Sequence, residues 1–117
     1  MESLQKYLDQ QLEQNKKSLD VWLGHQKLGL QSALNKEMLN QIAYAEQQIE
    51  IGNMRAIEQF KKSMADLQKR RAENTGEFMQ KSYDRIEESI KRSFEVTLRS
   101  TESVWKSHIE QCRANMK

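Results

Sequence analysis

Residues 30–67 read LQSALNKEMLNQIAYAEQQIEIGNMRAIEQFKKSMADL. Their apolar side chains fall at Leu30, Leu34, Met38, Ile42, Ala45, Ile49, Ala56, Phe60, Met64 and Leu67. Steps of three and four dominate, the period of an amphipathic helix and not the alternation of a strand. Between them lie mostly Gln, Glu, Lys, Asn and Arg, a set dominated by good helix formers. Gly52 interrupts the run. A lone glycine costs a helix about 1 kcal/mol relative to alanine, which so long a stripe can carry. The alternative is a hairpin broken near Gly52.

Breakers bracket this segment on both sides. Gly24 and Gly29 stand close together in GHQKLG, and Asn74-Thr75-Gly76 follows the basic end. Asn74 with Glu77 three residues on fits a helix N-cap and its partner. The expected division is helices over about 3–23, 28–73 and 77–115, in a single all-helical domain spanning 1–117. The first helix carries its stripe at Leu4, Leu8, Leu12, Leu19, Trp22 and Leu23. The third carries Tyr83, Ile86, Ile90, Phe94, Leu98, Thr101, Val104, Trp105, Ile109 and Cys112. Tyr83, Phe94 and Trp105 are eleven residues apart, close to three helical turns, and are expected to be buried together on one face, with Glu102 on the polar side. The same spacing links Leu23, Leu34, Ala45, Ala56, Leu67 and Phe78, as in any nearly straight amphipathic helix.

The composition agrees. The chain has 117 residues, no proline and four glycines, too little turn punctuation for a β-rich fold. The expected fold is all-α: an elongated antiparallel helical hairpin or a three-helix bundle with long, coiled-coil-like helices. A helix of about 46 residues is about 70 Å long, whereas a compact globule of this size has a radius of gyration of about 13 Å. In such a rod each helix has few neighbours, part of its stripe stays uncovered, and a protein partner or a homo-oligomer is the expected remedy.

Little in the sequence points to catalysis, so no enzyme and no cofactor are expected. His108 and Cys112 share a helical face, but a closed zinc site needs about four ligands, and the one cysteine fits as a small apolar residue on the stripe. There is no Glu-x-x-His for di-iron chemistry and no glycine-rich phosphate loop. No apolar run approaches a membrane span, and MESLQKYLDQ lacks a basic region followed by an apolar block. The cytoplasm is the expected location, with signal-less export left open.

The net charge of +2 is unevenly spread. Arg55, Lys61, Lys62, Lys69, Arg70 and Arg71 face only Glu58 and Asp66 over residues 55–71. Such a stretch can contact phosphates, and also suits the end of a helix, where cations are favoured. Lys61, Lys62, Lys69, Arg70 and Arg71 are the candidate anion contacts. Ser93, Ser100 and Ser107 recur every seven residues, and with Ser82, Ser89 and Ser103 they allow either close helix approach or a hydrated face.

Two short motifs resemble those of the small helical-hairpin substrates of type VII secretion. Trp22-Leu23-Gly24 is similar to their Trp-x-Gly turn, and Tyr83 with Glu87 to their Tyr-x-x-x-Asp/Glu export signal. The likeness covers about eight residues. The family turn lies near mid-chain and the signal in a C-terminal tail, and neither placement holds here. What the resemblance implies is limited to an accessory partner of such an export system.

The function expected from all this is a non-enzymatic helical protein–protein interaction module: an adaptor, chaperone or assembly factor. Its candidate interface residues are Trp22, Phe60, Phe78, Tyr83, Phe94 and Trp105, since aromatics are enriched where interfaces form. Two alternatives remain: a peripheral amphipathic binder of a lipid or granule surface, and a nucleic-acid binder working through residues 55–71.

Overall fold

The computed structural model describes residues 2–27 and 36–115. Among them the chain forms three helices: α1 (Glu2–Lys27), α2 (Lys36–Glu73) and α3 (Glu77–Asn115). α2 passes straight through Gly52, so the hairpin is broken at 74–76. The expected start of this helix at 28 lies outside the described residues. α1 also runs through Gly24 to Lys27, past the expected stop at 23. An added Cβ at Gly24 would meet nothing within 4 Å, so no close approach singles the position out, and one glycine alone did not end a well-formed helix.

Three elements form an elongated bundle. The radius of gyration is 18.9 Å and the extents are 64 × 24 × 16 Å. α2 and α3 are an antiparallel hairpin in close contact along their length, and α1 approaches them less closely. Tyr7 lies on Phe60 and Phe94, with ring centroids 5.6 and 6.4 Å away. At the other end of α1, Lys27 pairs with Glu46 at 2.6 Å and Arg113 donates to the Gln26 carbonyl at 2.8 Å. α1 is therefore antiparallel to α2 and parallel to α3. It flanks the open end of the hairpin. Roughly residues 68–86 extend past Phe60 and Lys91 as a two-helix tip.

The core follows the stripe of α2 closely. Met38, Ile42, Ala45, Ile49, Ala56, Phe60, Met64 and Leu67 are all buried. They divide between two clusters. One joins Leu8, Ala56, Phe60, Met64, Leu67, Tyr83, Phe94 and Leu98. The other joins Leu19, Leu23, Met38, Ile42, Ala45, Ile49 and Ile109, flanked by Trp22, Trp105 and Cys112. Between the clusters, a Cβ at Gly52 would stand 2.7 Å from Thr101 Cγ2. The glycine is what lets α2 and α3 come this close.

At the turn, the cap differs from the expected one. Gly76 caps α3, its carbonyl accepting from the Gln80 amide at 2.9 Å, while Asn74 Oδ1 accepts from the Gly76 amide at 3.2 Å. Gln80 Nε2 then donates to the Asn74 and Arg71 carbonyls at 2.8 and 3.4 Å. One side chain of α3 thereby satisfies carbonyls that the end of α2 leaves unpaired.

Candidate protein-docking surface

The six aromatic interface candidates do not form one surface. Phe60, Tyr83 and Phe94 are interior and belong to one cluster. Phe60 and Phe94 stack with centroids 4.9 Å apart. Trp22 and Trp105 are half-buried at the edge of the other cluster. Trp105 meets Tyr44 and His108 edge-on, at 5.6 and 5.3 Å. Only Phe78 is open, at 80% exposure. Tyr83, Phe94 and Trp105 thus share a helix face but not one cluster.

Glu102 corrects the phasing of α3. It is 8% exposed and not on a polar side. Its Oε1 accepts from Lys106 Nζ at 2.8 Å, and Lys106 lies 5.3 Å over the Trp22 ring. α1 packs along this flank of α3 and turns it inward. In compensation, Ile86 and Val104, placed on the core stripe by their spacing, are exposed at 40% and 60%.

The five cations of the candidate anion site also separate. Consecutive helical residues point about 100° apart, so density in the sequence does not make a patch. Arg70 pairs with Asp66 on its own helix at 3.5 Å. Arg71 crosses the hairpin to Asp84 at 3.1 Å and Glu87 at 3.3 Å, and Lys91 joins Glu87 at 3.7 Å. Arg71 is therefore a clasp at the tip. Lys61, Lys62 and Lys69 are exposed and make no ion pair among the described residues.

His108 Nε2 lies 3.1 Å from Gln41 Oε1 and 3.6 Å from Cys112 Sγ. With its proton on Nε2, the imidazole donates to Gln41 and ties α3 to α2. Among the described residues no group of three or more His, Cys, Asp or Glu is placed to hold a metal ion. Tyr7 donates to the Lys91 carbonyl at 3.3 Å. Burial, aided by nearby Glu95 and Glu88, pushes its phenol above the usual tyrosine range.

A surface missed in the sequence runs along α3. Phe78, Ile86, Ser89, Ser93, Val96, Ser100, Val104, Ser107 and Gln111 are all exposed. With half-buried Ser82 they recur every three or four residues and include no charge. This is a second stripe, facing away from the core. The recurring serines are its signal in the sequence, while the spacing of Ile86 and Val104 places them with the first stripe. Beside it, α2 and α3 enclose a trough of about 660 Å³. Phe60, Phe94 and Ala56 form its floor, and Gly52, Ser63, Ser89, Ser93 and Thr97 are among its walls. No residue of α1 lines it.

The class this fold defines is an elongated all-α three-helix bundle built on a long antiparallel hairpin. No protein family, curated protein or solved structure matches the chain. The Trp22-Leu23-Gly24 motif lies within α1 and makes no turn. Tyr83 is buried and so is not presented as an export signal would be. No helix of the described residues is long and apolar enough to cross a membrane.

Proposed function

We propose that this chain is a non-enzymatic protein–protein interaction module, an adaptor, chaperone or assembly factor, that works through the outer stripe of α3. The observation that supports this is the uncharged run from Phe78 to Gln111, exposed along the helix in a chain where 31% of residues are charged. Phe78, Ile86, Val96 and Val104 stand open to solvent along it. A long surface with helical spacing and no charge suits another helix laid alongside. The lipid-surface reading has less support, because serines interrupt the apolar positions and leave little continuous area to bury among acyl chains. The nucleic-acid reading loses support where the 55–71 cations diverge around α2 and two of them are paired.

The test is a triple variant, Ile86→Asp, Val96→Asp and Val104→Asp, compared with the parent by light scattering and by cross-linking in extract of the native host. The parent is expected to form a defined hetero- or homo-complex that the variant loses while its circular dichroism stays helical. A parent that stays monomeric and cross-links to nothing defined, or a variant that keeps the complex, defeats the reading.

A further inference from the structure

The outer edge of α2 has the same spacing from either end. Glu37, Gln41, Tyr44, Gln48, Ile51 and Arg55 follow in alternating steps of four and three, so they form one narrow row on the helix. The row is symmetric about Glu46: Glu37 and Arg55 each lie nine residues from it, Gln41 and Ile51 five, Tyr44 and Gln48 two. It stands on the α3 side of α2, where Gln41 reaches His108, Tyr44 meets Trp105 and Arg55 lines the trough. Glu46 and Glu50 are the only charges between Glu37 and Arg55, and both line the groove beside α1, on the other side of the helix. Charge in the row is therefore confined to its two ends and is opposite in sign. Glu37 and Arg55 are exposed and make no ion pair among the described residues. Between them Tyr44 and Ile51 are exposed large apolar side chains. Beside the row α3 shows Val104, Ser107 and Gln111, also exposed and uncharged.

We infer that this edge pairs with the same edge of a second copy of the chain, the two α2 helices running antiparallel about a two-fold axis at the level of Glu46. Glu37 then faces Arg55 of the second copy, Gln41 faces Ile51 and Tyr44 faces Gln48, each pairing made twice. A parallel copy would set Glu37 on Glu37 and Arg55 on Arg55, so charge fixes the orientation. A uniformly acidic or uniformly basic helix is the poorer occupant, because it meets a like charge at one end of the row. The exposed Tyr44 ring near the axis is the kind of side chain that anchors an interface. The row is about 27 Å long and, with the neighbouring face of α3, about 18 Å wide. Two copies would bury roughly 1,000 Å² in total, the lower limit for a specific interface, so the dimer is reversible. This face is separate from the part of the α3 stripe at Ile86 and Val96, which lies toward the tip, and the inference does not depend on the docking role proposed for that stripe.

The experiment is sedimentation equilibrium of the full chain at low salt, over about 1 μM to 1 mM, where a monomer–dimer equilibrium is expected within the range. Arg55→Glu alone and Glu37→Arg alone should each weaken the dimer about tenfold or more, since each puts two like-charge pairs into the interface. The paired reversal, Glu37→Arg with Arg55→Glu, restores opposite charges in the same register and should restore the dimer. Ile51→Asp should abolish it, and Ile86→Asp, toward the tip, should leave it unchanged. All four positions are exposed, so the variants should keep their helix, which circular dichroism checks. A chain that stays monomeric over the whole range overturns the inference. So does a dimer that keeps its Kd in both single reversals, or one that the paired reversal does not restore. A dimer that Ile86→Asp or Val96→Asp dissolves belongs to the α3 stripe, and the inference falls. If the chain is monomeric while a complex in host extract still depends on Ile86, Val96 and Val104, this inference falls and the docking role stands.

Discussion

The open end of the bundle and its tip are built from the same two helices but bury different faces of them. Toward the tip, Tyr83 and Phe94 point into the hairpin, and Phe94 already meets the start of α1 at Tyr7. Further along α1, the buried residues of α3 become Leu98, Glu102 and Ile109. At about 100° per residue this is a rotation of roughly 70° toward α1. The rotation explains three features together. Glu102 goes under, Trp105 moves to the edge, and Val104 is left outside. It also sets the outer stripe free, because the third helix draws the core to one side of α3 and leaves the other unclaimed.

Substitutions can break or sharpen this comparison. The largest effect is expected at Phe94, where Tyr7 of α1 and Phe60 of α2 meet. Phe94→Ala should cost about 3–5 kcal/mol in urea unfolding, and a loss under about 1 kcal/mol would mean that α1 does not pack there. Next comes Gly52→Ala, at the pinch between the two clusters. The added methyl meets Thr101 Cγ2, and overpacking of about 1–3 kcal/mol should outweigh the helix gain of about 1 kcal/mol. Thr101→Ser removes that methyl and should restore most of the loss in the double variant. If Gly52→Ala simply stabilises the protein, the helices are not pinched together at this point.

Arg71→Ala should cost about 1 kcal/mol, since its partners are partly solvated. Hydrogen exchange sharpens this prediction: amides of about 68–86 should exchange faster than in the parent, and those around Ile42 and Ile109 should not. Uniform acceleration would mean that tip and open end unfold as one unit. Tyr7 gives a pH readout of the α1 contact. Its phenol is raised by burial in the folded chain. Its contribution is therefore complete below about pH 10, where the unfolded phenol stays protonated, and is lost as pH rises above that value. Tyr7→Phe should show a shallower fall in Tm above about pH 10, and identical slopes would place the ring in water. The smallest effect is expected at the exposed end of the tip, where Phe78→Ala should change stability by less than about 0.5 kcal/mol. A larger loss in the isolated protein would show that Phe78 is covered.

The stripe of α2 was legible residue by residue because α2 lies between both neighbours and buries one consistent face. Both helix ends at the turn were readable from Asn74-Thr75-Gly76, although the residue that caps α3 is Gly76 and not Asn74. How the cations of 55–71 are placed and paired was not legible. Adjacent cations in a sequence point to different sides of a helix, and only the fold gave Arg71 its partners Asp84 and Glu87. The outer stripe of α3 is half legible: its serines recur along the sequence, but the spacing of Ile86 and Val104 points them inward.

By itself the sequence determined the helices, their amphipathic period and the residues of α2 that form the core, because these depend on backbone propensity and on spacing along one chain. Which side of α3 is interior depends on where α1 lies, through contacts such as Tyr7 on Phe94 and Lys106 over Trp22. Spacing within α3 contains no information about a helix fifty or more residues away. Only the tertiary structure decided that Glu102 is buried, that Phe78 and Val104 are free, and that a trough between α2 and α3 is left open.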